Sequence, residues 1–370
     1  MTDAPKDRPL RRGWTTGACA TAAARAAFEA LIAGAPPPDP IEIALPSGKR
    51  VAFALAEFTR GDDFARAGIV KDAGDDPDVT HGALIRATIR RAAPGAGVSF
   101  KAGEGVGVIT RPGLPLPPGE PAINPVPRQM MRQTIEEAAS RLGVGADAEI
   151  EISIPGGEEM AKHTLNGRLG IIGGLSILGT TGIVTPFSCA AWIDSIHRGV
   201  DVARASGLTH IAGTTGSTSE AAVKKLYDLP DAALIEMGDF VGGFLKYLRT
   251  HPVARVTIGG GFAKMTKLAQ GRLDLHSGRS SVDFARLAQS AREAGASDEI
   301  AREIEDANSA LEALQIAQRA HVDLAGEIAR LAYATAAQTL GASETEVEVI
   351  VFDREGGLLA RTGFTRAQNV

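Results

Sequence analysis

From residue 208 onward the chain repeats one pattern: a short apolar run, a Gly/Thr-rich turn, then an amphipathic helix. Residues 208–212 lead through Gly213, Thr214, Thr215 and Gly216 to a helix over 217–227, opened by a Ser217…Glu220 capping box. Residues 232–237 lead through Gly238-Asp239 to a helix over 240–248. Residues 255–258 lead through Gly259-Gly260-Gly261 to a helix ending near Gln270. Three such units in succession require parallel strands joined by right-handed crossovers. Helical segments at about 282–294, 298–316 and 322–340, with a last strand at about 346–353, complete a Rossmann-like, doubly wound, mostly parallel sheet.

In such a sheet ligands gather beyond the carboxyl ends of the strands, where these turns lie. Gly213, Thr214, Thr215, Gly216, Gly259 and Gly260 are therefore predicted to contact a cofactor. Asp239, 23 residues beyond Gly216, sits where a carboxylate binds a ribose hydroxyl. The same residue can cap the helix that follows, and both roles can hold. Lys264 and Lys267, one turn apart behind the triple glycine, read as an anion grip. His276 follows in a polar loop near the same edge.

The tetrapeptide Gly179-Thr180-Thr181-Gly182 recurs 34 residues later as Gly213-Thr214-Thr215-Gly216, and more loosely as Thr15-Thr16-Gly17. Glycine lets backbone amides approach a ligand, and threonine hydroxyls cap helix starts. The stretch 169–183 reads as the hinge between an N-terminal α+β domain, 1–165, and a C-terminal α/β domain, 166–370. It is also expected to form one wall of a site shared by the two.

Residues 1–13 read as a loose arm. A helix from Gly17 to about Ala33 follows, favoured by nine alanines and stopped by Gly34 and three prolines. Its start offers the Thr15 and Thr16 hydroxyls and free amides at the positive end of a helix dipole, suited to a carboxylate or phosphate. Helix capping alone also accounts for those threonines. Segments 41–45 and 51–55 form a hairpin, and 68–73, 84–91 and 149–154 form strands. The turn 73–82 carries three carboxylates and a histidine, which invites a metal reading, but Pro77 and the glycines make it a turn without EF-hand spacing, so a solvated acidic turn is favoured. Gly103, Gly105 and Gly107 resemble a dinucleotide fingerprint, but no helix follows them, so that reading fails. After a Pro/Gly-rich loop over 112–127, a helix over 128–142 opens on Arg128. A cation in the first turn opposes the helix dipole and points to an anionic ligand or a surface ion pair.

Two cysteines, Cys19 and Cys189, are too few for a disulfide scaffold and are read as structural thiols on apolar helix faces. No CxxC or HExxH is present, so no protein metal site is expected. A net charge of −5 without a basic block, with 5% aromatic residues, argues against nucleic-acid binding. No apolar run approaches the ~20 residues needed to span a membrane, and the charged start lacks a signal-peptide core, so a cytoplasmic location is expected. GxxxxGK[ST] is absent, and the serine of Gly174-Leu175-Ser176-Ile177-Leu178-Gly179 does not fit a hydrolase elbow.

Along nearly its whole length the chain resembles the CbiD family. The resemblance lies in RRGWTTGACATAAA at 11–24, AGDDPDVTHG at 73–82, GEGVGVITRPGL at 103–114 and GEPAINPVPRQM at 119–130. It continues in IPGGEEMAKHTLNGRLGIIGGLSILGTTGIVTP at 154–186 and GGFAKMTKLAQGRLDLHS at 260–277. It implies S-adenosylmethionine-dependent methylation of C-1 of cobalt-precorrin-5B, giving cobalt-precorrin-6A in cobalamin biosynthesis. The cobalt then arrives with the substrate, a polycarboxylate corrinoid. Thr15, Thr16, Gly17, Arg128, Thr180, Thr181, Lys264 and Lys267 become candidates for holding it. His276, with Asp72 behind it, becomes a candidate base. Transient contact with neighbouring pathway enzymes is also expected. Two other readings stay open: a nicotinamide-dependent oxidoreductase using the Asp239 edge, and a non-catalytic tetrapyrrole-binding partner.

Overall fold

The computed structural model describes residues 9–367, and the chain divides into two compact units, Met1–Ser188 and Cys189–Val370. The first unit opens with a two-residue strand β1 (Gly13–Trp14) and turns at Thr15 into helix α1 (Thr16–Ala33). Thr15 Oγ1 accepts the Ala18 amide at 3.2 Å, and Gly34 closes the helix in the left-handed region at φ 67°. Residues 16–30 are all buried, since alanine side chains let other elements approach the helix from every side.

A hairpin, β2 (Ile41–Ala44) and β3 (Arg50–Phe53), follows as the sequence predicts. Next come β4 (Glu57–Arg60), β5 (Phe64–Val70), β6 (Leu84–Arg91), β7 (Val98–Ala102) and the short β8 (Val108–Ile109). Helix α2 (Pro125–Leu142), β9 (Ala148–Ser153), α3 (Gly157–Ala161), β10 (Ile171–Ile172) and β11 (Ile183–Val184) complete the unit. The main sheet has the order β4-β5-β6-β9-β7, antiparallel except where β7 meets β9. Alternate residues of β5, β6 and β9 (Ala67, Ile69, Ile85, Ala87, Ile150, Ile152) are buried with the apolar face of α1 and with Met131 and Ile135 of α2.

The stretch 169–183 is not a hinge. Ile171 and Ile172 pair with β8, Leu175 and Ile177 lie in the same core as α1, and Ile183 pairs with Trp14. Residues 166–188 therefore belong to the first unit, which moves the boundary from 165 to 188. Of the arm expected over 1–13, residues 1–8 lie outside the described residues. From Arg11 the chain is tied down, its amide donating to Asp75 Oδ2 at 2.6 Å and its guanidinium to Asp72.

The second unit begins with α4 (Cys189–Ala205), followed by β12 (His210–Thr214), α5 (Ser217–Tyr227), β13 (Leu234–Glu236) and α6 (Val241–Leu248). It continues with β14 (Arg255–Gly261), α7 (Phe262–Ala269), α8 (Phe284–Glu293), α9 (Asp298–Glu305), α10 (Ala310–Arg319) and α11 (Leu324–Leu340). The last strands are β15 (Glu346–Phe352), β16 (Leu358–Arg361) and β17 (Thr365–Arg366). The sheet order is β13-β12-β14-β15-β16, with β17 also pairing β15. The first four strands run parallel, while β16 and β17 are antiparallel to β15. The chain steps from β12 to β13 on one side, then returns to place β14 on the other. Direction thus reverses between β12 and β14.

Most helices bury one face of this sheet through Ile211, Val256, Ile258, Val347 and Val349. Val223 of α5 packs on the opposite face with Ala212, Ile350 and Phe352. Glu348 on that face is fully buried, held by Arg361 at 2.8 Å and by the Tyr227 hydroxyl. The segment 298–316 is two helices, because Asp306, Ala307 and Asn308 break the run and Ser309 caps the second by accepting Glu312 N.

Candidate functional site

Strands β12 and β14 extend further than their apolar runs. Gly213 and Thr214 pair with Ile258 and Gly259, so these glycines are ladder residues as well as turn formers. Each is glycine for close packing. A Cβ on Gly213 would lie 2.6 Å from Phe244, and one on Gly260 would lie 2.6 Å from Met265 and 2.8 Å from Thr215 Oγ1. Helices α6 and α7 consequently sit tight against the strand ends.

Where β12 and β14 diverge, a cavity of about 450 Å³ opens. Thr215 and Gly216 beyond β12, Gly261 ending β14, and Asp353 and Arg354 beyond β15 line it, with Phe262, Leu311, Leu314 and Phe352 as apolar walls. Two helices begin in that lining without side-chain caps: α5 behind Gly216 and α7 behind Gly261. The expected Ser217…Glu220 capping box does not form, because Ser217 is already the first helical residue. The Ser219 hydroxyl instead donates to Gly216 O at 2.8 Å. The open amides of both first turns give the cavity a positive lining.

Thr214 is fully buried, and its Oγ1 has no hydrogen-bond partner among the described residues. It pairs with Gly259 in the ladder, and Gly261 pairs with Phe352, so all four share the sheet face on which the cavity lies. A buried hydroxyl left unpaired is costly in a finished core and is what a polar ligand group would satisfy.

Lys264, on the first turn of α7, reaches back across this edge. Its Nζ donates to Thr215 O at 2.7 Å and lies 3.1 Å from Asp239 Oδ1. That contact is an ion pair without hydrogen-bond alignment, since the buried Asp239 Oδ1 accepts no hydrogen bond among the described residues. Asp239 therefore does not cap α6, whose N-cap residue is Phe240. Leu275 N donates to Asp239 O at 2.8 Å, which brings the 270–280 loop to the same turn.

Within that loop His276 Nδ1 accepts the Gly278 amide at 3.0 Å. A neutral ring in this arrangement carries its proton on Nε2 and presents a donor, so acting as a base requires the loop to release Nδ1. Lys267 is not the second half of a surface grip. It is buried, and its Nζ donates to Leu275 O at 2.8 Å, pinning the loop from beneath.

The candidates of the first unit are brought together in part. Thr15 N donates to Gly182 O at 3.1 Å and Gly17 N to Leu178 O at 3.0 Å, so the loop holding Thr180 and Thr181 lies over the start of α1. Thr16 is buried there, while Thr180 and Thr181 are exposed. The Gly17 and Ala18 amides are thereby satisfied within the chain. Arg128 is likewise engaged: it donates to Ile123 O at 2.8 Å and Pro121 O at 3.0 Å, and pairs with Glu120 at 2.8 Å. Its place in the first turn of α2 is explained by the carbonyls of the preceding loop, and no anionic ligand is needed.

Asp72 forms a two-point ion pair with Arg11 and accepts Gly74 N at 2.9 Å. The Arg11 hydrogen bonds, with the Gly74 amide, hold its carboxyl below the usual range, which weakens it as a base. In the acidic turn Asp75, Asp76 and Asp78 accept from Arg11 N, Phe187 N and Lys71 Nζ in turn. No cluster able to hold a metal occurs among the described residues. No helix there is long and apolar enough to cross a membrane. Cys19 is buried as expected, but Cys189 opens α4 and is exposed.

Arg354 escapes sequence reasoning, although the signal was present: the turn after the last parallel strand must reach the same edge as the other three. Its Asp353-Arg354-Glu355-Gly356-Gly357 spelling reads as an ordinary hairpin turn.

The family described as CbiD matches residues 3–186, and CbiD, C-terminal domain, matches residues 274–363. The chain is 63% identical over 351 residues to the cobalt-precorrin-5B C(1)-methyltransferase of Methylorubrum extorquens, covering 95% of this chain and 97% of that one. It is 61% identical to the protein of the same name from a Bradyrhizobium species, covering 96% and 95%. A crystal structure of a cobalamin biosynthesis protein (cbiD) from Archaeoglobus fulgidus is 29% identical, covering 73% of this chain and 83% of that one, with a TM-score of 0.39.

Proposed function

This chain belongs to the CbiD family, and we propose that it catalyses the reaction for which its relatives are named, methyl transfer to C-1 of cobalt-precorrin-5B. We further propose S-adenosylmethionine as the methyl donor, bound in the cavity at the carboxyl edge of the second unit, with the enzyme acting in the cytoplasm. The four parallel strands and their reversal between β12 and β14 support a Rossmann-like reading of that unit.

The observation that carries the donor site is the unpartnered, fully buried Thr214 hydroxyl beside two uncapped helix starts. The cavity volume of about 450 Å³ falls within the range of small-molecule sites. Phe352, Leu311 and Leu314 offer apolar walls to an adenine, and the Thr215–Gly216 turn offers backbone to a sugar or amino-acid tail. S-adenosylmethionine supplies an electrophilic methyl on a positively charged sulfur. The chain's part is then to orient: catalysis comes from holding the ring carbon in line with the methyl and excluding water, without a covalent enzyme intermediate.

Calorimetric titration with S-adenosylhomocysteine tests the donor assignment, with binding expected in the micromolar range. No heat at hundreds of micromolar, with NADH binding in its place, would replace the donor by a nicotinamide. Methyl turnover on the cobalt corrinoid tests the reaction. Corrinoid binding without turnover would leave a carrier.

A further inference from the structure

One cation at the cavity has no role in that proposal. Arg354 lines it from the turn after β15, and among the described residues its guanidinium has neither an ion-pair nor a hydrogen-bond partner. That turn rests on the start of α5: a Cβ on Gly356 would meet Thr218 Cγ2 at 3.4 Å. Among the described residues the amides of Ser217, Thr218 and Ser219 have no acceptor, because the first bond of the helix is Glu220 N to Gly216 O. The orphaned Thr214 hydroxyl lies on the same sheet face, one residue before the lining Thr215.

Arg354 and the amides favour an anion, and one acidic neighbour limits its charge. Asp353 Oδ1 accepts the amides of Glu355 and Gly357, and its carboxylate adds a negative charge to the lining. A dianion would be repelled by that carboxylate about twice as strongly as a monoanion. A planar monoanion can take two parallel bonds from a guanidinium and further bonds from the amides. We propose that Arg354, the open first turn of α5 and the Thr214 hydroxyl form a carboxylate-binding site.

Resting on the function proposed above, that carboxylate has two sources: the methionine part of the donor or an acid side chain of the macrocycle. The test compares wild type with Arg354→Gln and Arg354→Lys. If the donor supplies it, Arg354→Gln weakens S-adenosylhomocysteine binding by about 10- to 100-fold, as loss of a charge-assisted pair predicts. Binding of 5′-methylthioadenosine, which lacks the carboxylate, stays unchanged, and Arg354→Lys recovers part of the loss. If the macrocycle supplies it, the same variant raises the corrinoid KM by a similar factor and leaves S-adenosylhomocysteine binding intact. Unchanged constants in both titrations overturn the site. Should wild type bind neither ligand, the proposed function fails by itself. The site is then judged on acetate: thermal stabilisation of wild type that Arg354→Gln lacks supports it, and equal shifts overturn it.

Discussion

Lys264 and Asp239 meet at 3.1 Å, which ties the first turn of α7 to the turn after β13. The same ammonium donates to Thr215 O, so one side chain joins three loops at the carboxyl edge. The two side chains are 37% and 23% exposed, and solvent screening limits the pair to about 0.5–1 kcal/mol of stability. Asp239→Ala should therefore lower Tm by only about 2–4 °C. If Asp239 faces the donor, the same variant weakens S-adenosylhomocysteine binding about tenfold by calorimetry. Unchanged affinity would leave Asp239 as an anchor for Lys264 and nothing more.

Lys267 should behave oppositely. Lys267→Met keeps the buried stem but removes the donor to Leu275 O, at a cost of about 1.5–3 kcal/mol for a bond to a charged group. Urea unfolding should show that loss equally at low and high salt, since a buried contact is little screened. A variant with full stability and a raised corrinoid KM would return Lys267 to the substrate site.

The second unit was legible because its strands are near-continuous apolar runs followed by glycine and helix, a local signal. Strand ends are not legible where Gly213, Gly259 and Gly260 pair in the ladder, since nothing in a sequence tells a packing glycine from a turn glycine. The first unit hides more. Strands β1, β8, β10 and β11 are two residues long and pair across more than sixty positions, so no local period marks them. Arg128 and Lys267 show the same limit in the site. Each looks like a free cation until tertiary structure supplies the carbonyls that engage it.

The two cysteines should separate by reactivity. Burial pushes the Cys19 thiol up to about 12, while Cys189 is exposed at the start of α4. Native protein treated with a thiol-specific chromogenic disulfide should release one equivalent promptly and the second only in denaturant. Two fast equivalents would mean that α1 opens readily.

Gly179 has φ 127°, and a Cβ there would lie 2.4 Å from Thr15 Cβ and Oγ1. Gly179→Ala must push the 178–182 loop off the start of α1, breaking the Gly17-to-Leu178 bond and disturbing the Thr15 cap. The expected cost exceeds the ~1 kcal/mol for losing the cap alone in Thr15→Ala. Chemical denaturation of both variants checks the order. A Gly179→Ala protein as stable as wild type would show that the loop is not held against the helix.

Lys71 and Asp78 give the first unit a pH dependence of definite sign. Lys71 is 1% exposed, and its ammonium contacts the Asp78 carboxylate and the Thr80 hydroxyl, the latter at 2.7 Å. Burial pushes the Asp78 carboxyl up, but the Lys71 charge and the Lys71 and Thr80 hydrogen bonds outweigh it, and the net shift is downward. A group with a depressed folded pKa stabilises above its unfolded value, about 3.9 for aspartate, and loses that contribution as pH falls through the folded value. Asp78→Asn leaves Lys71 buried without a counter-charge, which costs about 3–5 kcal/mol at pH 7. The gap between wild type and variant in urea unfolding should hold from pH 7 to about 5 and close below about 4. Replacing both partners, as in Lys71→Met with Asp78→Leu, should recover much of the loss, because no unpaired charge then remains. A gap that persists unchanged at pH 3 would show that Asp78 acts through its bonds to Thr80 and not through its charge.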